Sequence, residues 1–196
     1  SNSTVCAGNN TTFSVTATGT GLSYQWQEDS GSGFGNITNG GVYSGATTAT
    51  LTLTGITAGM TGNDYRVVIT GTCAPTTSAA GILTVNTLPL VTVNPVDVTV
   101  CEGLGTSFSV TATGTGITYQ WQEDTGGGFV NLANGGVYSN VTTSTMSISN
   151  VLGKGGYRYR AVVSGTCSPA STSTSATLTE QKNPVVTVPP SNATVC

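Results

Sequence analysis

The chain has 196 residues and little charge: 5 are Lys or Arg, 8 are Asp or Glu, and the net charge is −3. Without a basic cluster, we expect no nucleic-acid partner. The chain has no histidine, so the commonest general base and the commonest metal ligand are missing. No apolar run approaches the roughly 18 residues of a membrane-spanning helix. We therefore predict no enzymatic activity, no cofactor, no metal site and no membrane span.

The abundant residues predict an all-β protein. Thr, Ser, Gly, Val and Asn make up much of the sequence. Thr and Val fit pleated, half-buried surfaces, whereas Gly and Asn form turns. No segment of useful length shows the 3.6-residue period of a helix.

Motifs recur along the chain with a period of 95 residues. YQWQEDSGSGF at residues 24–34 returns as YQWQEDTGGGF at residues 119–129, and 119 − 24 = 95. NGGVYS at residues 39–44 returns at residues 134–139. A period of this size is typical of one immunoglobulin-like domain and is far longer than a solenoid repeat.

The five cysteines follow the same repeat. Cys6 recurs as Cys101 and again as Cys196, whereas Cys73 recurs as Cys167 after only 94 residues. One residue is therefore lost before Cys167, and we place the loss in the loop that reads TAGMTGND in the first copy. None of the five lies in a C-x-x-C pair, so their recurrence favours disulfides in an oxidising compartment over a zinc site.

The second copy shows its strands most completely. Its alternating segments, in chain order, are VDVTVC (96–101), SFSVTA (107–112), ITYQWQ (117–122), STMSIS (144–149), YRYRAVVSG (157–165) and SATLTE (175–180). About seven short strands separated by turn residues are typical of a β-sandwich.

These residues resemble the immunoglobulin fold in its I-set form. PVDVTVCEGLGTSFSVTATG, residues 95–114, resembles an A′–B passage, and each tryptophan follows a strand-B valine by 11 residues (26 − 15 and 121 − 110). Tyr65 and Tyr159 resemble the tyrosine corner at the start of strand F. The resemblance implies two tandem immunoglobulin-like β-sandwich domains plus the first strand of a third repeat.

The sequence departs from that family in its core. Apolar residues occupy the positions of the two cysteines that form the core disulfide of the family. That bond would contribute about 2–4 kcal/mol of stability per domain. The residues at these positions are Val15, Val67, Val110 and Ala161.

Trp26 and Trp121 allow two interpretations, a platform that stacks sugars or the central packing residue of strand C. Their spacing from strand B favours the core, together with Tyr65 and Tyr159. We interpret Glu28 and Asp29 as the charged, solvated approach to a turn, because adjacent strand residues point to opposite faces. Tyr43 and Tyr138 remain weak candidates for ligand binding, since a tyrosine beside the NGGVYS turn could equally cover the edge of the sandwich.

The pattern of motifs also resembles the large repetitive Ig-like surface proteins of gliding and adhesive Bacteroidota, in which VC-x-G precedes strand B and G-x-C follows strand F. The resemblance implies a structural or adhesive module of an extracellular cell-surface fibre. Its expected partners are neighbouring repeats of the same chain, with other filament chains and surface polysaccharides as further candidates. The alternative is a carbohydrate-binding module of a secreted polysaccharide-degrading protein.

We predict three segments: repeat 1 (residues 1–86, its first strand partly missing), repeat 2 (residues 87–180), and a linker with the first strand of repeat 3 (residues 181–196). The tail SNATVC repeats the opening SNSTVC, so we expect a longer array. The linkers NTLPL (86–90) and EQKNP (180–184) each contain a proline, which favours a semi-rigid joint.

Three cysteine pairings remain open. The first, within each domain, joins Cys6 to Cys73 and Cys101 to Cys167. The second joins Cys6 to Cys167, between consecutive repeats, and by the same rule Cys101 to a cysteine of a following repeat. The third joins Cys73 to Cys101 and Cys167 to Cys196. We favour Cys6–Cys167, because the first strand and the F–G turn of a sandwich end at opposite poles.

Overall fold

The computed structural model describes residues 1–190, and strands account for nearly all of its regular structure. The predicted first strand of repeat 3, residues 191–196, lies outside the described residues. Contacts divide the chain into two compact units. Unit 1 contains Ser1–Pro89, Gly114–Gly116 and Gly165–Pro169; unit 2 contains Leu90–Thr113, Ile117–Ser164 and the described residues from Ala170 onward.

Repeat 1 is a sandwich of two sheets. One sheet has the order β1-β9-β7-β3-β4, with β8 beside β7, and the other has the order β2-β6-β5. Strand β1 runs parallel to β9, and the other pairs are antiparallel. The elements are β1 (Ser3–Cys6), β2 (Thr11–Ser14), β3 (Ser23–Asp29), β4 (Gly35–Asn36), β5 (Tyr43–Ser44), β6 (Thr50–Leu53), a 3-10 helix (Ala58–Met60), β7 (Asp64–Thr70), β8 (Thr76–Thr77) and β9 (Gly81–Asn86).

Repeat 2 has the same topology with two further strands. Its sheets have the orders β11-β20-β18-β14-β15, with β19 beside β18, and β12-β17-β16; strands β10 and β13 form an additional antiparallel pair. The strands are β10 (Leu90–Val93), β11 (Val98–Cys101), β12 (Thr106–Ser109), β13 (Thr111–Thr113), β14 (Thr118–Asp124), β15 (Phe129–Asn131), β16 (Tyr138–Ser139), β17 (Thr145–Ile148), β18 (Arg158–Ser164), β19 (Ser171–Thr172) and β20 (Ala176–Gln181).

Each sandwich buries its own apolar core, and strand alternation explains why. In β7, every second residue is buried, so Tyr65, Val67 and Ile69 face the core while the residues between them face outward. Rings from the two sheets meet there: Phe13 of β2 stacks on Tyr65 with centroids 4.8 Å apart. Repeat 2 repeats the contact between Phe108 and Tyr159, at 4.9 Å.

The two tryptophans lie at the centre of these cores. Trp26 is 3% exposed and Trp121 is fully buried. Each indole Nε1–H donates a 2.9 Å hydrogen bond to a backbone carbonyl, that of Thr48 in repeat 1 and Thr143 in repeat 2. A buried indole whose donor is satisfied inside the sandwich cannot serve as a sugar platform.

The positions of the absent core disulfides are filled by apolar packing. Val67, Val110 and Ala161 are buried, and Val15 is half-buried against the core of repeat 1.

The strand pattern differs from the sequence-based prediction in several places, since the predicted linker 180–184, for example, begins inside β20. The predicted strand 107–112 is interrupted at Val110, which separates β12 from β13. The predicted linker 86–90 is shorter in the structure: Asn86 closes β9 and Leu90 opens β10, so only residues 87–89 lie between them. Proline at position 89 cannot donate to a sheet, which fits a break between two strands better than a long linker.

The missing residue of the second copy lies in the loop before strand F. Repeat 1 forms the 3-10 helix Ala58–Met60 there, and repeat 2 forms only turns. The residue is regained in the turn after Cys167, because Thr76 of repeat 1 corresponds to Ser171 of repeat 2 in the strand register, and 171 − 76 = 95.

Replacement of Trp121 by alanine tests the core. We expect Trp121→Ala to destabilise repeat 2 by about 3–5 kcal/mol, because the cavity cannot close around a lost indole. Urea denaturation followed by far-UV circular dichroism measures the loss. The matched control is Val130→Ala on the exposed face of β15, where Val130 is 62% exposed and a change within about 0.5 kcal/mol is expected. Equal losses in the two variants would contradict the buried position of Trp121.

Candidate functional site

A disulfide bond joins the two repeats. Cys6, the last residue of β1, bonds to Cys167 in the turn between β18 and β19, with the Cα atoms 5.9 Å apart. This spacing falls in the ordinary range for a disulfide. The bond links positions separated by 161 residues. It is the pairing between consecutive repeats that the sequence analysis favours.

The strand register explains why Cys6 does not bond within its own repeat. Cys6 lies opposite Asn86, at the last residue of β9. Cys73 comes before β9 begins at Gly81, and a strand of this length spans about 20 Å. Cys6 therefore lies at the end of β9, whereas Cys73 lies towards its start.

Within unit 1, hydrogen bonds connect two turns of repeat 2 with Thr87, the residue that follows β9. The backbone N–H of Thr87 donates to Thr115 Oγ1 at 2.9 Å, and the N–H of Thr115 donates to the Thr87 carbonyl at 3.2 Å. The N–H of Thr166 donates to the Thr115 carbonyl at 2.9 Å. Gly116 has φ +60°, and a Cβ there would meet Thr166 Oγ1 at 2.6 Å. This turn therefore requires glycine.

The remaining cysteines do not follow the two rival pairings. Cys73 and Cys101 are free and exposed, so neither a Cys6–Cys73 nor a Cys73–Cys101 bond exists. Cys167 is occupied by Cys6, which excludes its pairing with Cys101 or Cys196; Cys196 itself lies outside the described residues. Free Cys73 and Cys101 agree with the favoured pairing, in which Cys101 bonds to a cysteine of a following repeat; that bond stays a prediction.

A half-buried carboxylate cluster is the second notable feature of repeat 1. Glu28 Oε1 accepts hydrogen bonds from Tyr43 Oη at 2.6 Å, Tyr65 Oη at 2.7 Å and Asn63 Nδ2 at 2.7 Å. Three donors on one oxygen fix the carboxylate between the two sheets, because Glu28 and Tyr65 belong to one sheet and Tyr43 to the other.

Repeat 2 keeps this cluster. Glu123 Oε2 accepts hydrogen bonds from Tyr138 Oη and from Tyr159 Oη, the latter at 2.8 Å. Glu123 is only 9% exposed, and the Lys154 ammonium lies 4.7 Å from the Tyr138 ring centroid. A buried charge requires such partners.

The interpretation of Glu28 as a solvated residue is therefore wrong, whereas Asp29 does lie at the charged approach to the turn. Glu28 is turned into the cluster, and Asp29 Oδ1 caps the following turn by accepting hydrogen bonds from the N–H groups of Gly31 and Gly33. Asp124 does the same in repeat 2 and also binds Arg158. The backbone hydrogen bonds hold the pKa of both aspartates below its usual value. Glu28 thus connects the two sheets, and Asp29 holds the turn.

The tyrosines of these clusters also differ from expectation. In a tyrosine corner, the hydroxyl bonds to backbone a few residues upstream, whereas Tyr65 and Tyr159 bond to a glutamate of strand C. Tyr43 and Tyr138, the weak ligand-binding candidates, are half-buried and their hydroxyls point into the same clusters. The sequence carried one signal for this arrangement, since the glutamate and both tyrosines recur together in the two copies.

Burial changes the acidity of these hydroxyls. Burial first, and the hydrogen bond to Glu28 second, raise the pKa of Tyr43 to about 12. Burial likewise raises the pKa of Tyr65, Tyr138 and Tyr159 above the ordinary value of 10.0. All four hydroxyls therefore stay protonated at neutral pH and act as donors.

The described part of the chain was also searched for metal-binding groups and membrane-spanning helices. Residues 1–190 contain no group of three or more Cys, Asp or Glu side chains that could hold a metal ion. None of the described helical segments is long and apolar enough to cross a membrane.

Comparison with known proteins identifies the fold. A family model described as a domain of unknown function (DUF8696) matches residues 1–87. No curated protein matches the sequence significantly.

Solved structures of immunoglobulin domains match nearly the whole chain. The I-band fragment I67–I69 from titin has a TM-score of 0.62 at 15% identity, with 92% of this chain and 62% of that chain covered. DIP-gamma domains IG1 and IG2 give 0.61 at 16%, covering 91% and 93%. Extracellular domains 3–5 of Drosophila OTK give 0.59 at 18%, covering 92% and 59%. The chain thus spans 62% of the titin fragment. At such identities the likeness shows the fold alone: the protein consists of tandem immunoglobulin-like β-sandwich domains.

Removing one hydroxyl tests the carboxylate cluster. We expect Tyr43→Phe to destabilise repeat 1 by about 2 kcal/mol, because a hydrogen bond to a charged acceptor is lost inside the sandwich. Urea denaturation gives the free energy of unfolding. The control is Tyr24→Phe, whose hydroxyl forms no hydrogen bond among the described residues, so its removal should change little. A loss in Tyr24→Phe equal to that in Tyr43→Phe would overturn the role of the cluster.

Alkaline pH provides an independent test. The folded pKa values of Tyr43, Tyr65, Tyr138 and Tyr159 exceed the ordinary 10.0. The unfolded chain therefore releases these protons first, and the free energy of unfolding falls as the pH rises above 10.0. Spectrophotometric titration of tyrosinate should show fewer than the 7 tyrosines ionising while the protein remains folded. Ionisation of all tyrosines with an ordinary pKa in the folded state would refute the buried donors.

Proposed function

We propose that the chain is a load-bearing structural and adhesive module of a long extracellular cell-surface fibre, of the kind found in gliding and adhesive Bacteroidota, and that it has no catalytic activity. The bond between Cys6 and Cys167 is the observation that carries this proposal. Its stability requires an oxidising compartment. The proposed domain boundaries are residues 1–86 and 87–180, followed by the linker and first strand of repeat 3.

The disulfide redirects a pulling force. A force applied along the chain enters at the N-terminus, reaches Cys6, and passes through the sulfur–sulfur bond to Cys167. The residues between the two cysteines form a closed covalent loop that carries no load. Repeat 1 and most of repeat 2 are thereby protected from mechanical unfolding, a property that suits a fibre under tension.

The proposed partners follow from the same arrangement. The neighbouring repeats of the same chain are the main partners, because the bond joins one repeat to the next. Other filament chains and surface polysaccharides are the candidate adhesion targets. The alternative function, a carbohydrate-binding module, loses its main support because both tryptophans are buried and both candidate tyrosines bind glutamate.

Single-molecule force spectroscopy tests the proposal. With the protein held by its two ends, we expect reduction of the disulfide to release the closed loop of 161 residues, an added extension of about 550 Å at 3.3–3.6 Å per residue. The Cys167→Ser variant should show this added extension without reductant.

The matched control is Cys73→Ser, which removes an exposed free cysteine and leaves the bond intact. It should extend like the oxidised protein. Equal extension of Cys167→Ser and the oxidised protein would refute the proposal that the force passes through the Cys6–Cys167 bond.

A further inference from the structure

A row of three hydrogen-bonded side chains crosses the outer face of the larger sheet of repeat 2. Asn131, Gln122 and Arg160 lie opposite one another on β15, β14 and β18. Gln122 Nε2 donates to Asn131 Oδ1 at 2.8 Å, and Arg160 Nε donates to Gln122 Oε1 at 2.7 Å. The guanidinium carbon of Arg160 also lies 3.9 Å from the centroid of the Phe129 ring. A hydrogen bond and a ring contact thus hold this arginine in place.

Repeat 1 has the same row on its own outer face. Gln27 Nε2 donates to Asn36 Oδ1 at 2.9 Å, and Arg66 Nε donates to Gln27 Oε1 at 2.8 Å. The guanidinium carbon of Arg66 lies 3.7 Å from the Phe34 ring centroid. Arg66 is the only basic residue in residues 1–86, and the whole chain has only 5 Lys or Arg. The scarce positive charge is therefore placed in the same network twice.

The network leaves the outer end of the arginine available. Among the described residues, Arg160 donates a hydrogen bond through Nε alone, so its two terminal nitrogens face no protein acceptor. A guanidinium offers its donors as a planar fork, and a fork that is already held loses little freedom on binding. Such a fork matches a planar carboxylate, which accepts two parallel hydrogen bonds.

The neighbouring row distinguishes the two repeats by charge. In repeat 2, Asp124 lies opposite Arg158, and their side chains form an ion pair. In repeat 1, Asp29 lies opposite Asp64, so a second carboxylate stands where repeat 2 has a guanidinium. The arginine of the first row is therefore beside two carboxylates in repeat 1 and beside an ion pair in repeat 2. Repeat 2 is the better place for an anion, because like charges repel.

Arg160 is the cation of this face that lacks a carboxylate partner. Arg158 is paired with Asp124, although its side chain remains 51% exposed. Asp97 also lies near Arg158, since it accepts the N–H of Thr177, the residue opposite Arg158, at 2.7 Å. Within the described chain, no carboxylate forms an ion pair with Arg160. An incoming anion would therefore bind at Arg160.

We propose that this outer face of repeat 2 binds a polysaccharide of uronic acids, with a sugar carboxylate on the terminal nitrogens of Arg160. The amides of Asn131 and Gln122 form hydrogen bonds with the sugar hydroxyls. The side chains of the two rows are polar except Phe129, which Arg160 covers. A peptide partner anchors through large apolar or aromatic side chains in a pocket, and these rows offer none. The chemistry therefore favours a glycan over an acidic peptide.

The site differs from the one on which the load-bearing function depends. It rests on the proposed adhesive function only in naming the chemical class of the adhesion target. It involves neither the buried tryptophans nor the Cys6–Cys167 bond. Cys167→Ser should therefore bind the glycan like the unmodified protein, so that failure of the load path and failure of this site can be distinguished.

Two matched glutamine variants test the site. Isothermal titration calorimetry with oligogalacturonate, a carboxylate-bearing oligosaccharide, should detect binding that weakens as salt is added. Arg160→Gln should lower the affinity at least about tenfold, because the charge-assisted hydrogen bonds are lost. Arg66→Gln removes the same internal hydrogen bond and ring contact in repeat 1 and should leave the affinity unchanged. Far-UV circular dichroism checks that both variants remain folded.

A charge reversal in repeat 1 provides the opposite test. Asp64→Arg gives repeat 1 the ion pair with Asp29 that repeat 2 forms between Arg158 and Asp124. We expect this variant to bind a second equivalent of oligogalacturonate. Arg160→Lys should weaken binding in repeat 2 although it keeps the charge, because an ammonium lacks the planar fork.

The remaining probes separate the glycan from its rivals. A neutral glucan should not bind, and polyglutamate of equal length should bind more weakly than oligogalacturonate because it lacks hydroxyls. Equal or tighter binding of polyglutamate would indicate an acidic peptide and overturn the choice of a glycan. No binding of oligogalacturonate, equal losses in Arg160→Gln and Arg66→Gln, or no gain in Asp64→Arg would overturn the site itself.

Discussion

The covalent bond between Cys6 and Cys167 is the constraint on which the mechanical behaviour of the chain depends. It is placed by two features of the fold. The parallel pairing of β1 with β9 carries Cys6 to the last residue of strand G, and the turn between β18 and β19 presents Cys167. Strand β9 also contributes Leu83 and Val85 to the core of repeat 1, and Cys167 is itself buried. Both ends of the bond are therefore held by packed structure.

The cores obtain their stability without a disulfide of their own. Valine and alanine occupy the usual cysteine positions, and the indole of Trp26 or Trp121 packs beside them with its N–H satisfied by a carbonyl. The glutamate–tyrosine clusters add a polar connection between the two sheets. A buried carboxylate with several donors is costly to disrupt, since loss of one partner leaves charge in a poorly solvated place. The cysteines are thus available for joints between repeats.

Much of this fold could be predicted from periodicity, because alternation of two residues and a repeat of 95 are direct consequences of packed strands. The buried tryptophans followed from their spacing after Val15 and Val110. Strand β10 was missed because a proline beside it suggested a linker, and sequence alone does not show that Leu90 and Val91 find partners at Thr113 and Ala112. Glu28 was misassigned because charge favours solvent on average, whereas its position in the cluster depends on donors 15, 35 and 37 residues away. Such long-range partners are set by the tertiary structure. In the sequence, the only sign of them is that the glutamate and both tyrosines recur together in the two copies.

The spacing of the cysteines determines how much chain a continued array would expose to force. In the proposed array, Cys196 repeats Cys6 at twice the period, since 196 − 6 = 190 = 2 × 95. A pulling force that leaves the first disulfide at Cys167 would then meet the next first-strand cysteine after only 29 residues (196 − 167 = 29). Those residues comprise β19, β20 and the proposed linker and first strand of repeat 3. Residues 7–166 would lie inside the closed covalent loop. A bond between Cys6 and Cys73 would instead close the loop within one domain and leave each joint to carry the load, so the mechanical consequence depends on which end of the sandwich each cysteine occupies.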